Sequence, residues 1–285
     1  MKNINRRYLL LTSLLVIISV FSTYYITVNT IAQQSSAAPA PQTGPANNEY
    51  QLGAVLWMQT SGENRALAYQ AFNLARMVLD QDIRKYGRKK PGRAIVVDAD
   101  ETIINNSPYQ AWQVKNHRNY DQASWMDWCQ REEAIALPGA VEFLTYANKR
   151  GVKVFYITNR KDTERQCTTN NLKKLGFPEV SDETLLLRTD ATGSSKESRR
   201  QDVAKKYRIV LLMGDNLNDF AKEFERKSVA DRNKAVDDDR DLFGSKFIAL
   251  PNSMYGDWES ALYEYNNNRT EEEKATMRLN WLKAY

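Results

Sequence analysis

The chain has 285 residues, 42% of them hydrophobic, which is enough for one large domain or for a domain with a sizeable insertion. Its net charge of +5 is weak evidence for a nucleic-acid partner, because Lys2, Arg6 and Arg7 contribute strongly to it at one end of the chain. His117 is the single histidine, so this composition excludes chemistry that needs two or more histidines.

The first 32 residues are typical of an export signal. A short basic stretch precedes the apolar segment 8–21, and residues 30–32 form an acceptable small-residue cleavage site. An uncleaved anchor is the alternative, because the uncharged run 8–28 has about the 20-residue length that spans a bilayer. In both cases the remaining chain is expected outside the cytoplasm, as a periplasmic, secreted or membrane-anchored protein. Any membrane contact would be made through this segment, if it is uncleaved.

Residues 33–48 are rich in Ala, Pro, Ser, Gln and Asn, which predicts a disordered tether. The folded domain is therefore predicted at residues 49–285. Residues 50–86 are predicted to be helical, and Pro91-Gly92 ends this region before the first strand. Four apolar residues in it recur at helical spacing and predict its buried face: Leu67, Ala71, Leu74 and Val78.

Short apolar runs separated by helical patterns follow along the chain. The runs that predict buried parallel strands are 94–97, 152–157, 184–187, 209–213 and 247–250. Helices are predicted at 160–175 and 195–207. This alternation predicts an α/β fold with a central parallel sheet that is covered on both faces.

The connection between the first two strands, from residue 100 to residue 152, is much longer than the about 10–12 residues that a minimal crossover needs. We expect a helical cap insertion at about 103–150. Its aromatic residues could form a small core of their own or contact a ligand. These aromatic residues are Tyr109, Trp112, Tyr120, Trp125 and Trp128.

Asp98 and Asp100 follow directly after the first strand. In an extended chain, residues i and i+2 point to the same side, so both carboxylates are expected at the carboxyl edge of the sheet, where open α/β folds bind ligands. Two neighbouring carboxylates repel each other unless a cation or a shared proton compensates. The pair therefore suggests a hard metal ion such as Mg²⁺.

Polar residues also follow the other predicted strands. Thr158-Asn159-Arg160 comes after the second strand, Lys196 lies at the start of the predicted helix 195–207, and Asp215 and Asp219 follow the fourth strand. Each residue type suits phosphoryl transfer: a carboxylate attacks phosphorus, a second acid moves the proton, and a hydroxyl and a lysine hold the oxygens.

These motifs resemble those of the haloacid dehalogenase (HAD) superfamily. The forms Asp98-x-Asp100-Glu101-Thr102 and Gly214-Asp215-Asn216-Leu217-x-Asp219-Phe220, with Asn106-Ser107-Pro108-Tyr109 and the segment 250–259, are similar to the bacterial class C acid phosphatases, which have four aspartates in the site. The resemblance covers about residues 50–262. It implies a Rossmann-like core with N-terminal helices and a helical cap, and an exported, Mg²⁺-dependent enzyme that acts on phosphomonoesters such as 5′-nucleotides.

The resemblance also implies catalytic roles. Asp98 would be the nucleophile and Asp100 the general acid and base, while Thr158 and Lys196 would hold the phosphoryl group. Asp219 would orient the lysine or a water molecule at the metal.

The remaining implied roles concern binding. Asp98, the Asp100 main-chain carbonyl and Asp215 would bind Mg²⁺. Asn159, Trp125 and Tyr255 would bind the substrate, with the two aromatic residues on either side of a nucleoside base.

Several alternatives stay open at this level. The same residues would serve a phosphotransferase, and a non-catalytic binding or storage protein could keep the fold. Cys129 and Cys167 could pair in an oxidising compartment or lie buried separately. The expected partner is a small-molecule phosphomonoester and not a nucleic-acid polymer, and a homodimer is possible.

Overall fold

The computed structural model describes residues 48–87 and 92–285. The predicted signal or anchor at 1–32 and the tether up to residue 47 lie outside this part. So does Pro91, which was predicted to help end the helical region before the first strand. Asn48 is buried, and its side-chain amide donates to the Arg118 carbonyl over 2.8 Å. Within the described ranges, no helix combines the length and the apolar character that crossing a membrane requires.

The centre of the molecule is a five-stranded sheet in the order β5-β4-β1-β6-β7, in which all neighbours are parallel. Its strands are β1 (Arg93–Val97), β4 (Lys153–Lys161), β5 (Leu185–Arg188), β6 (Arg208–Gly214) and β7 (Phe247–Ala249). Two short strands, β2 (Ile104–Asn105) and β3 (Ile135–Ala136), form a separate antiparallel pair. The structure thus confirms the predicted α/β fold with a central parallel sheet.

Helices cover both faces of the sheet. They are α1 (Leu52–Thr60), α2 (Gly62–Tyr86), α3 (Ser107–Lys115), α4 (Gln122–Arg131), α5 (Ala140–Lys149), α6 (Arg165–Lys174), α7 (Glu197–Lys206), α8 (Val229–Asp238), α9 (Asp257–Leu262) and α10 (Glu271–Trp281). Strand β1 is buried on both sides: Ile95 and Val97 pack with α2 and α5, while Ala94 and Val96 pack with α7 and α8. This explains why β1 reads as an unbroken apolar run.

The predicted helical region 50–86 is two helices and a preceding 3₁₀ turn at Glu49–Gln51. Ser61 interrupts it in an extended conformation, and its hydroxyl accepts a hydrogen bond from the Asn64 amide as a helix cap. The buried face also differs from the predicted stripe, because Leu67 is 39% exposed. The buried apolar residues of α2 are Ala68, Ala71, Phe72, Ala75 and Leu79.

The cap consists of the β2–β3 pair with α3 and α4. Helix α5, which falls inside the predicted insertion, packs against α2 and β4 as the crossover helix. A disulfide joins Cys129 in α4 to Cys167 in α6, so the cap is tied covalently to the core. The separately buried thiols that the sequence left open are not observed.

Candidate active site

Asp98 lies at the end of β1, where the sheet places it between two other strand ends. Its amide donates to the Met213 carbonyl of β6 over 2.9 Å, and Val97 pairs with Tyr156 of β4. The side chain is buried, and one of its oxygens contacts the ammonium group of Lys196. Strand pairing therefore brings the predicted nucleophile to the predicted lysine.

Lys196 lies immediately before α7, and its buried ammonium group bridges two carboxylates. It contacts Asp98 and lies 2.6 Å from Oδ1 of Asp219. Burial alone would lower the pKa of Lys196, but the charges of Asp219 and Asp98 raise it above its ordinary value. The lysine therefore stays positively charged, as its predicted contact with a phosphoryl group would require.

Asp219 is placed by the turn after β6. Its carboxylate accepts a hydrogen bond from the Asn216 amide over 3.0 Å and caps the 3₁₀ turn Leu217–Asp219. Gly214 leaves the room for this carboxylate, because a Cβ there would lie 2.3 Å from Asp219 Oδ2. The glycine of the motif is thus a steric requirement.

Asp215 completes a cluster of three carboxylates with Asp98 and Asp219, with one oxygen of each within 4.8 Å of the others. Burial and the charges of the neighbouring aspartates raise the pKa of Asp98 to about 7, although the charge of Lys196 opposes this rise. Burial and the charges of Asp219 and Asp98 also raise the pKa of Asp215. This crowding of oxygen donors suits a hard divalent cation such as Mg²⁺.

One hydroxyl group and one side-chain amide orient Asp215. The Thr102 hydroxyl lies 3.2 Å from Asp215 Oδ1 and 3.4 Å from Asp98 Oδ2. The Asn252 side chain, just after β7, donates to Asp215 Oδ2 over 2.8 Å. Asn252 had no predicted role, although it follows the predicted strand 247–250 by two residues, and polar residues near the ends of apolar strands were the signal for the other site residues.

Asp100 is held on the cap side of the cavity. Arg160 donates to both of its carboxylate oxygens, the Asn106 side chain donates to Oδ1 over 2.8 Å, and Thr158 Oγ1 lies 3.5 Å from Oδ2. Thr158 is fully buried, and its hydroxyl also accepts the Arg160 amide over 3.1 Å. Arg160 therefore fixes the predicted acid and base, a role that its place in the motif alone did not reveal.

Two further arginines of α7 hold neighbouring strand ends. Arg199 donates to the Thr158 carbonyl over 2.6 Å and to Asn159 Oδ1 over 2.8 Å. Arg200 donates to the carbonyls of Asn218 and Asp219 over 2.8 and 3.1 Å. Both side chains are buried. They follow Lys196 by three and four residues, a spacing that places them on one side of the helix and could have identified them.

A cavity of about 490 Å³ joins these groups to the cap. Asn159, Trp125 and Tyr255 line it together with the aspartates and Lys196. The Trp125 indole nitrogen donates to Glu164 over 3.0 Å, and the hydroxyl of Tyr255 donates to the buried carboxylate of Glu101. The structure therefore brings all the predicted site residues to one cavity or into contact with its walls.

The aromatic residues of the cavity differ in exposure. Trp125 is only 8% exposed and packs against Tyr109, with ring centroids 5.1 Å apart. Tyr120 is 58% exposed at the same cavity, with its ring 6.2 Å from Trp125. The aromatic residues of the cap thus form a small core, and the exposed ring of Tyr120 lines the cavity.

Similar proteins were found at the level of family, sequence and structure. The sequence model of the acid phosphatase family, HAD superfamily subfamily IIIB, matches residues 16–258. The chain is 30% identical over 131 residues to acid phosphatase 1 of Solanum lycopersicum, covering 44% of this chain and 51% of the relative. It is 26% identical over 162 residues to the stem 31 kDa glycoprotein of Glycine max, covering 55% and 56%. The chain thus spans about half the length of these curated relatives.

Two solved structures are similar over most of the chain. The class C acid phosphatase from Bacillus anthracis with tungstate bound is 45% identical, with a TM-score of 0.80 over 84% of this chain and 99% of that chain. Another structure of the class C acid phosphatase from that organism is 44% identical, with a TM-score of 0.80 over 84% and 98%. The chain belongs to the acid phosphatase family, subfamily IIIB of the HAD superfamily.

Proposed function

We propose that this protein is an acid phosphatase that hydrolyses small phosphomonoesters through an aspartyl-phosphate on Asp98. The observation that supports this most directly is the buried Lys196, which bridges Asp98 and Asp219 at the floor of the cavity. A positive group beside a carboxylate nucleophile can hold the oxygens of a phosphoryl group during transfer. The similarity to a class C acid phosphatase along almost its whole length supports the same activity.

In the first step, a carboxylate oxygen of Asp98 attacks phosphorus, and the bond between phosphorus and the ester oxygen breaks. Protonated Asp100 gives its proton to the leaving alcohol. In the second step, Asp100 takes a proton from a water molecule whose oxygen attacks phosphorus; the bond between phosphorus and the Asp98 oxygen breaks, the Asp98 carboxylate is regenerated and inorganic phosphate leaves. Lys196 and Thr158 hold the phosphoryl oxygens throughout.

The carboxylate cluster fits a divalent cation. Asp98, Asp215 and the main-chain carbonyl of Asp100 would hold Mg²⁺, with Asp219 fixing Lys196. The ion would neutralise the charge of the phosphoryl group. Asp98, Asp215 and Asp219 supply only oxygen donors, which is the ligand type that Mg²⁺ prefers.

The substrate class follows from the shape and lining of the cavity. A cavity of about 490 Å³ has room for a small organic phosphate. Tyr120, Trp125 and Tyr255 provide aromatic surface around it, which favours esters with a flat ring, such as 5′-nucleotides.

The disulfide favours the proposed location outside the cytoplasm. The homodimer remains a prediction, which sedimentation of the full-length chain would test.

The test is the release of phosphate by the full-length chain from p-nitrophenyl phosphate and nucleoside monophosphates, with Mg²⁺ and then with EDTA. We expect turnover with Mg²⁺, its loss with EDTA and its return when Mg²⁺ is restored. Asp98→Asn should be inactive. Asp127→Asn, which changes an exposed aspartate of α4, should match the wild type. Turnover by Asp98→Asn at the wild-type rate would overturn the assignment of the nucleophile.

A further inference from the structure

A pair of cations lies at the rim of the cavity, on the two strands at one edge of the sheet. Lys161 is the last residue of β4 and Arg188 the last residue of β5, and the parallel register pairs them directly. Both line the same cavity as Asp98 and Lys196. Two positive side chains are therefore neighbours on the wall of the proposed active site.

Solvent screens this pairing only in part, because Lys161 is exposed but Arg188 is half-buried at the cavity wall, so a bound anion would relieve the remaining repulsion. Like charges at directly opposed positions of neighbouring strands are destabilising. In residues 48–87 and 92–285, no carboxylate lies within ion-pair distance of either Lys161 or Arg188, whereas Lys196 and Arg160 each contact an aspartate. The two rim cations thus stay uncompensated within the described protein.

The nearby carboxylate of Glu164 is already used by other donors. It accepts hydrogen bonds from the Trp125 indole over 3.0 Å, from the Gln122 amide over 2.7 Å and from the main-chain amide of Lys161 over 3.3 Å. These bonds hold Glu164 against the cap and the turn after β4. We therefore expect an anionic group of a bound ligand to pair with Lys161 and Arg188.

The strand geometry sets the distance from the catalytic centre. Lys161 follows Thr158 by three residues in β4, so at about 3.3 Å per residue the two positions are at most roughly 10 Å apart, and the irregular register between Ile157 and Lys161 shortens this separation. An anion at the rim would therefore lie beside the phosphoryl site, within reach of the same small molecule.

We propose that Lys161 and Arg188 form a second anion-binding subsite, which selects phosphomonoesters that carry a second phosphate group. This inference rests on the proposed phosphatase function, because the first phosphate must occupy the site of Asp98 and Lys196. It makes bisphosphorylated esters the preferred substrates within that class.

The test measures binding, so that it does not depend on turnover. Alkane-diol bisphosphates of increasing chain length, and the monophosphates of the same diols, are titrated by calorimetry into the full-length Asp98→Asn chain with Mg²⁺. We expect the bisphosphate to bind about tenfold more tightly than its monophosphate, with an optimum at one intermediate chain length.

The decisive variant adds Lys161→Gln and Arg188→Gln to Asp98→Asn, and the tenfold ratio should fall to about one. Each single change should remove part of the ratio. A matched control adds Lys149→Gln and Lys173→Gln, which remove the same charge from exposed positions of α5 and α6, and should keep the ratio. Thermal unfolding checks that every variant is folded.

A ratio near one at every chain length, or a ratio that survives in the Lys161→Gln/Arg188→Gln variant, would overturn the subsite. Failure of the phosphatase proposal gives a different result, because the wild type would then release no phosphate from p-nitrophenyl phosphate. The binding ratio and the turnover assay thus separate the two ideas.

Discussion

Arg160 holds both carboxylate oxygens of Asp100 in a fork. Its Nε lies 3.0 and 3.1 Å from the two oxygens, and its Nη2 lies 2.8 Å from Oδ1. The guanidinium is itself fixed, because it lies over the Trp125 ring at 5.0 Å and donates to Thr168 over 3.2 Å. The proposed acid and base therefore has one defined position in the cavity.

Arg160→Lys should lower kcat about 10- to 100-fold with little change in KM, because lysine keeps the charge but loses the planar fork that orients Asp100. Steady-state kinetics with p-nitrophenyl phosphate and Mg²⁺ measures this. Arg131→Lys is the matched control, since Arg131 makes a similar but exposed pair with Asp127. Equal kcat values for the two variants would contradict the positioning role.

Gly214→Ala should reduce kcat about 100-fold or more, because the new Cβ would lie 2.3 Å from Asp219 Oδ2 and displace the carboxylate that fixes Lys196. The control is Gly53→Ala in α1, where no atom lies within 4 Å of the added Cβ. This control should keep full activity and gain roughly 0.5–1 kcal/mol of stability. An active Gly214→Ala enzyme would show that Asp219 is not needed at its observed position.

Removing the disulfide should destabilise the protein. The Cys129–Cys167 bond closes a loop with a sequence separation of 38. The double variant Cys129→Ser/Cys167→Ser should lose about 2–4 kcal/mol of unfolding free energy, because the unfolded chain gains freedom. Denaturant titration measures the loss. Dithiothreitol should destabilise the wild type by a similar amount and leave the double variant unchanged, and an equal response of both proteins would contradict the pairing.

The stability of the junction between α2 and the amino ends of β1 and β6 should depend on pH through Asp82. This carboxylate accepts hydrogen bonds from Arg208 over 2.7 Å and from Arg93 over 2.5 Å. Burial alone would raise the pKa of Asp82, but the two arginines outweigh it and lower the pKa below its ordinary value. Its stabilising effect is therefore complete above the ordinary pKa of about 4 and is lost as the pH falls through the lower, folded value.

Asp82→Asn should consequently reduce the unfolding free energy by about 1–3 kcal/mol at pH 6, and the difference from the wild type should shrink below about pH 4. Urea titrations at several pH values measure it. Asp237→Asn on the exposed side of α8 serves as the control, with no expected difference at either pH. A difference that stays constant down to acid pH would exclude the ionised Asp82 as its source.

The residue types of the proposed active site and the strands that carry them were predictable from local patterns. Asp98 and Asp100 follow an apolar run, and parallel strands end at one edge of a sheet, so their meeting with Thr158 and Asp215 was predictable. The helix pattern was less informative. It did not show the break at Ser61, and it placed the buried face of α2 too close to Leu67, because the rotation of a helix depends on what packs against it.

The sequence by itself determined the fold class, the order of the site motifs and the chemistry of their side chains, since these depend on residue type and short-range periodicity. Only the tertiary structure decided the partnerships. Arg160 with Asp100, Asn252 with Asp215, and Cys129 with Cys167 each join segments that are far apart in the chain. The pairing of Lys161 with Arg188 depends on the strand register. Such contacts form through space, so no local pattern in the sequence records them.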